Sequence, residues 1–124
     1  MNGATRTILV VDDDPYVRTL VAKLLGEEGY NALPAADAWQ ATDALQKQPV
    51  DLIILDLRMP GPVDGEQLLF ALRDQGNDVP IIVLSGYVDD DANLFPPDCV
   101  HAVLKKPIRV EHFTATVRRV LDEG

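Results

Sequence analysis

The chain has 124 residues, a formal net charge of −9 and one cysteine. This length fits a single compact domain, which we expect to span residues 1–124, and leaves no room for a second. A hydrophobic content of 47% is ordinary for a folded protein and argues against disorder. The acidic charge disfavours direct binding to nucleic acid, which needs a basic surface, and a lone thiol cannot form an internal disulfide.

The sequence contains no targeting or membrane signal. Residues 1–7 carry no apolar run of the kind that directs secretion. No stretch approaches the roughly 20 consecutive apolar residues that a membrane span requires. We therefore expect a soluble, cytoplasmic protein that does not bind a membrane.

Short apolar runs recur along the chain and predict strands. In chain order they cover residues 8–11, 31–33, 52–55, 81–84 and 100–104. Three of them (the first, third and fourth) are continuous and show no alternation with polar residues. Continuous runs are typical of strands buried on both faces, as in a parallel sheet covered by helices. The second run is short and weakly apolar, which favours an edge strand.

Helical patterns lie between these runs. From Val17 to Leu25, apolar residues recur at the spacing of one helix face, and Asp14 followed by Pro15 is a typical helix start. Similar patterns follow Asp37, cover residues 65–73 and begin at Val110. Strands that alternate with helices predict an α/β fold with a doubly wound, five-stranded parallel sheet.

The segment between Gly86 and Val100 departs from this alternation. It contains Pro96 and Pro97, which cannot lie inside a helix. The residue before a proline is also driven out of the helical conformation. The helix between the fourth and fifth strands is therefore predicted to be short, at most over residues 90–94, or to be replaced by a loop.

Three aspartates lie where buried strands end. Asp12 and Asp13 follow the first run, and Asp56 follows the third. Functional groups of doubly wound sheets gather beyond the carboxyl ends of the strands. In the flavodoxin-like order 2-1-3-4-5, which we adopt as a common order for such sheets, the first and third strands are neighbours. The three acids should then share a pocket, where their repulsion favours a bound Mg²⁺ with its preference for oxygen ligands.

Ser85 ends the fourth strand, and Lys105-Lys106-Pro107 ends the fifth, at the same edge of the predicted sheet. A hydroxyl and an ammonium beside an acidic metal site can hold the oxygens of a phosphoryl group. A carboxylate can itself attack phosphorus, which gives an aspartyl phosphate.

Four segments in this order closely resemble the receiver domains of two-component response regulators. They are Val10-Val11-Asp12-Asp13-Asp14, Leu55-Asp56-Leu57-Arg58-Met59-Pro60-Gly61, Leu84-Ser85-Gly86-Tyr87 and Lys106-Pro107. The resemblance covers nearly the whole chain. It implies a Mg²⁺-dependent switch that is phosphorylated by a sensor histidine kinase or a histidine phosphotransfer protein. The phosphorylated switch would then act on an unidentified downstream protein. Such a protein catalyses only its own phosphorylation and dephosphorylation.

The resemblance also implies a role for each site residue. Asp56 would be the phosphoacceptor and, like Asp13, a direct ligand of Mg²⁺. Asp12 would bind the ion mainly through water, and the backbone carbonyl of Arg58 would supply a further ligand. Two side chains would contact the phosphoryl oxygens: Ser85 and Lys106.

Three features depart from the family's usual pattern. The loop after Asp56, over residues 59–65, is one residue longer than usual. Val103 stands where many receivers carry an aromatic residue that swings inward on phosphorylation. Tyr87 is our candidate for its replacement, which predicts a change in its ring environment by NMR on phosphorylation. In its short or replaced helix between the fourth and fifth strands, the chain resembles receivers attached to some hybrid sensor kinases, and this puts the family's usual output face in doubt.

Two other functions remain open at this point. A Mg²⁺-dependent phosphohydrolase with an Asp nucleophile would usually need a second acid two residues after it, where Arg58 stands. A degenerate receiver used only for docking would not need the acceptor residues. We find no DNA-binding or catalytic output module, so we expect either a stand-alone regulator or a receiver within a larger protein.

Overall fold

The structure is a computed structural model that describes residues 5–57, 65–86 and 100–123. Within these ranges lie five strands and four helices. In chain order they are β1 (Thr7–Val11), α1 (Pro15–Glu27), β2 (Asn31–Ala35), α2 (Ala38–Lys47), β3 (Leu52–Asp56), α3 (Gly65–Asp74), β4 (Ile81–Ser85), β5 (Ala102–Lys105) and α4 (Val110–Glu123).

The five strands form one parallel sheet in the order β2-β1-β3-β4-β5. This confirms the predicted flavodoxin-like, doubly wound architecture. Val11 of β1 lies opposite Leu55 of β3, so the carboxyl ends of these two strands are side by side. β2 lies at an edge, as predicted, and an edge position tolerates Pro34 because proline cannot donate a hydrogen bond to a second neighbour.

Two apolar layers, one on each face of the sheet, explain the continuous apolar runs. Alternate residues of the central strands point to opposite faces. Leu9 and Ile53 belong to the layer beneath α2 and α3. Ile8 and Ile54 belong to the layer beneath α1 and α4. Every residue of the three continuous runs, 8–11, 52–55 and 81–84, is therefore buried, and alternation with polar residues disappears.

Polar caps fix where the first two helices begin. The side chain of Asp14 accepts a hydrogen bond from the backbone N–H of Tyr16 at 2.9 Å, ahead of Pro15 at the start of α1. Asp37 accepts one from the N–H of Gln40 at 2.8 Å at the start of α2. Because α1 starts so soon after β1, the residues between them form a short, tightly held loop.

The fifth strand starts later than predicted. It covers Ala102–Lys105, whereas the apolar run starts at Val100. Val103 is half-buried against the layer beneath α2 and α3.

Several predictions concern residues outside the described ranges. They are the helix over residues 90–94, the longer loop after Asp56, the ligand role of Arg58 and the switch role of Tyr87. Among the helices that the structure describes, none combines the length and the apolarity needed to cross a membrane.

Candidate functional site

Three carboxylates meet beyond the carboxyl ends of β1 and β3. Asp12 and Asp13 follow β1, and Asp56 is the last residue of β3. One carboxylate oxygen from each residue lies within 4.8 Å of those from the other two. Asp12 is fully buried and Asp56 is only 4% exposed, whereas Asp13 is exposed to solvent. The cluster is therefore compact enough to hold one metal ion and is open on one side.

Lys106 brings a positive charge to this cluster from the end of β5. Its Nζ lies 3.1 Å from Oδ2 of Asp12 and 3.7 Å from Oδ2 of Asp56. The lysine therefore contacts both buried carboxylates, more closely that of Asp12. One ammonium cannot balance three carboxylates, and burial strengthens the repulsion that is left over. A divalent cation bound between the carboxylates would remove that repulsion.

Asp12 is held by its backbone as well as by its side chain. Its N–H donates to the carbonyl oxygen of Ala35 at 3.1 Å, and its own carbonyl oxygen accepts from Nη1 of Arg18 at 2.7 Å. Oδ1 accepts from the N–H of Asp14 at 2.9 Å, and Oδ2 accepts from Nζ of Lys106. Two hydrogen bonds thus hold the backbone of Asp12, and two more hold its buried carboxylate.

Gly65, the first residue of α3, packs directly against the carboxyl end of β3. Its N–H donates to the carbonyl oxygen of Leu57 at 3.2 Å. A Cβ added at Gly65 would overlap the carbonyl oxygen of Asp56 and lie 2.7 Å from Cα of Leu57. Sequence reasoning missed this role, although a glycine at the start of an amphipathic pattern was a signal for close backbone approach.

Gly65→Ala should therefore lower the free energy of unfolding by about 3 kcal/mol, the cost of overpacking against backbone that cannot move aside. Gly26→Ala is the matched control, because a Cβ at this residue of α1 meets nothing within 4 Å. The control should be neutral or more stable by about 0.5–1 kcal/mol. Urea unfolding followed by circular dichroism measures both. If Gly65→Ala had the same free energy of unfolding as the wild type, the close packing of Gly65 against the backbone of β3 would be contradicted.

Ser85 and Lys105 lie opposite each other where β4 and β5 end. Ser85 thus brings its backbone to the same edge of the sheet as the acids. Lys105 is exposed, whereas its neighbour Lys106 contacts the carboxylates of Asp12 and Asp56.

Comparison with known proteins identifies the family. The model of the response regulator receiver domain matches residues 8–118. This chain belongs to that family. Receiver domains are signalling modules of two-component systems and receive phosphoryl groups from sensor kinases.

Two curated relatives show how much of a longer protein this receiver matches. It is 42% identical over 97 residues to the transcriptional regulatory protein AruR of Pseudomonas aeruginosa, with 74% of this chain and 39% of AruR covered. It is 33% identical over 117 residues to the response regulator RR06 of Streptococcus pneumoniae serotype 2, with 90% of this chain and 53% of RR06 covered. The receiver therefore spans about half or less of the length of these relatives.

A solved structure shows the same fold at close to full coverage. The chemotaxis protein CheY4 of Vibrio cholerae superposes on this receiver with a TM-score of 0.85 at 30% sequence identity. The superposition covers 94% of this chain and 99% of that one.

Proposed function

We propose that this receiver is a phosphorylation-dependent switch in which Asp56 accepts a phosphoryl group from a phosphohistidine. The meeting of three carboxylates with Lys106 at one edge of the sheet carries the proposal. The donor is a sensor histidine kinase or a histidine phosphotransfer protein, and the target is a downstream protein rather than nucleic acid. Residues 1–124 act as one domain. Its place is the cytoplasm, because that compartment supplies the ATP that sensor kinases use.

Mg²⁺ suits the donor set that the structure shows. It prefers oxygen ligands, and it usually takes one or two protein carboxylates together with water and phosphate oxygens. Asp13 and Asp56 would bind it directly, Asp12 mainly through water, and the carbonyl of Arg58 would add a ligand. When bound, Mg²⁺ supplies positive charge that stabilises the phosphoryl oxygens in the transition state.

Asp56 carries the covalent chemistry. A carboxylate oxygen of Asp56 forms a bond to phosphorus while the bond from phosphorus to the imidazole nitrogen of the donor breaks. The leaving nitrogen keeps the electron pair of that bond. Ser85 and Lys106 would hold the phosphoryl oxygens by hydrogen bonds, that of Lys106 being charge-assisted. The protein mainly aligns the groups and balances charge, and the receiver catalyses no reaction beyond its own phosphorylation and dephosphorylation.

Lys106 links phosphorylation to a change of state. The phosphoryl group adds about −1.5 to −2 charge and three acceptor oxygens. These oxygens compete with Asp12, the closer of the two carboxylates that Lys106 contacts, at 3.1 Å. A shift of Lys106 towards the phosphoryl group would favour a different conformation of the β5 edge, and with it a different binding surface.

Incubation with acetyl phosphate and Mg²⁺, followed by intact-mass measurement, tests the proposal. We expect one phosphoryl group per chain, and none when EDTA is added first. A protein that binds Mg²⁺ and gains no mass would contradict the acceptor role and favour a docking module. Steady turnover of a small phosphomonoester would favour a phosphohydrolase instead.

A further inference from the structure

We propose that Arg18 is a positioning residue that fixes Asp12 for binding the divalent cation. The inference rests on the proposed function, because it concerns the same acidic site. Nη1 of Arg18 donates to the backbone carbonyl oxygen of Asp12 at 2.7 Å. A hydrogen bond from a guanidinium is charge-assisted and stronger than one between neutral groups.

The position of Arg18 in its helix does not itself favour a cation. The amino end of a helix carries partial positive charge, which stabilises acids and disfavours cations near the first turn. Arg18 is the fourth residue of α1, and the first turn of this helix contains no acidic residue. We infer that the bond to Asp12 offsets this unfavourable placement.

Asp12 needs backbone support because one of its side-chain bonds is not permanent in the proposed cycle. Its Oδ2 is bound to Lys106, which would turn towards the phosphoryl group. The bonds with Asp14, Ala35 and Arg18 would then keep the carboxylate directed at the cation. Among these partners Arg18 acts from a neighbouring helix through its side chain, so substitution can remove its contribution.

The charge of Arg18 and its hydrogen bond to Asp12 predict opposite changes in cation affinity when Arg18 is removed. Removing a positive charge near the acids lowers the repulsion felt by a divalent cation, and so strengthens its binding. Removing the hydrogen bond frees the backbone of Asp12, and so weakens binding. Loss of a group that orients a metal ligand commonly lowers metal affinity by about tenfold or more. If removal of Arg18 lowers the affinity for the divalent cation, the hydrogen bond to Asp12 therefore matters more than the positive charge, as a positioning role requires.

The affinity for Mn²⁺, measured by electron paramagnetic resonance without any phosphoryl donor, tests this inference. We expect Arg18→Ala to bind Mn²⁺ about tenfold more weakly than the wild type, and Arg18→Lys to recover part of the loss. Lys23→Ala is the matched control. Lys23 is an exposed residue of α1 that lies five residues, or about 7.5 Å, further along the helix. The control should bind Mn²⁺ as tightly as the wild type or slightly more tightly.

Unchanged or tighter binding of Mn²⁺ by folded Arg18→Ala would overturn the inference. If circular dichroism shows that Arg18→Ala is unfolded, Arg18→Gln replaces it, and unchanged or tighter binding would overturn the inference in the same way. The proposed function fails separately, if the wild-type protein binds Mn²⁺ and takes no phosphoryl group from acetyl phosphate. The order of Mn²⁺ affinities among the variants would still decide the role of Arg18.

Discussion

Asp56→Asn should gain no phosphoryl group from acetyl phosphate and Mg²⁺ under conditions that label the wild-type chain. The amide has nearly the shape of the carboxylate but lacks the anionic oxygen that attacks phosphorus. Asp56 is almost fully buried at the end of β3, where the amide also relieves repulsion with Asp12 and Asp13. The variant should therefore stay folded, and intact-mass measurement should show complete loss of labelling.

Asp51→Asn is the matched control for this experiment. Asp51 lies just before β3, at the opposite end of the same strand, and its Oδ2 accepts a hydrogen bond from the N–H of Thr7 at 2.8 Å. The amide oxygen of asparagine can accept the same bond, so this variant should fold and be labelled like the wild type. If Asp56→Asn gained one phosphoryl group as the wild type does, the acceptor would be another residue.

Lys106→Met should slow labelling by acetyl phosphate by about 100- to 1000-fold at saturating Mg²⁺, the effect usually found when one transition-state donor is removed. Methionine keeps most of the volume of the side chain and removes the ammonium. The substitution also removes the ammonium that lies 3.1 Å from the carboxylate of Asp12 and 3.7 Å from that of Asp56. Quenched time courses read by mass spectrometry measure the rate.

Lys105→Met is the corresponding control, because Lys105 is the exposed neighbour of Lys106 at the end of β5. Its rate should stay close to that of the wild type. Equal rates for Lys106→Met and the wild type would show that the ammonium has no part in the transfer. Equal slowing in both variants would point to a general effect of positive charge at this edge of the sheet.

The sequence was sufficient to predict the sheet and the place of the acids. Continuous apolar runs predicted strands covered on both faces. The structure explains these runs, because alternate residues of each strand enter the two apolar layers. Parallel strands bring their carboxyl ends to one edge. With the strand order adopted from flavodoxin-like sheets, which makes the first and third strands neighbours, Asp12 and Asp56 were predicted to lie close together although 44 positions separate them. The bounds of β5 were predicted less well. Apolar character reports burial rather than strand pairing, and Val100 is buried without belonging to the strand.

The contacts that orient the acids could not be predicted from the sequence. Neighbouring aspartates differ sharply in burial, with Asp12 inaccessible and Asp13 exposed, and no pattern of residue types encodes this difference. The bond from Arg18 to a backbone carbonyl has no signature in the sequence, since arginines also occur in α3 and α4. The approach of Gly65 to the backbone of β3 likewise depends on how α3 meets the sheet. These features depend on tertiary packing, which residue order alone does not specify.

The position of a bound Mn²⁺ ion, mapped by paramagnetic broadening of backbone amide resonances, tests the central claim most directly. The claim is that acids distant in the chain meet around one cation. We predict that the signals of Asp12, Asp13, Asp56 and Lys106 are lost first. Those of Thr7 and Asp51 should persist, because a five-residue strand puts them roughly 15 Å away. Broadening centred at that opposite end of the sheet, or spread evenly over the acidic surface, would contradict the account.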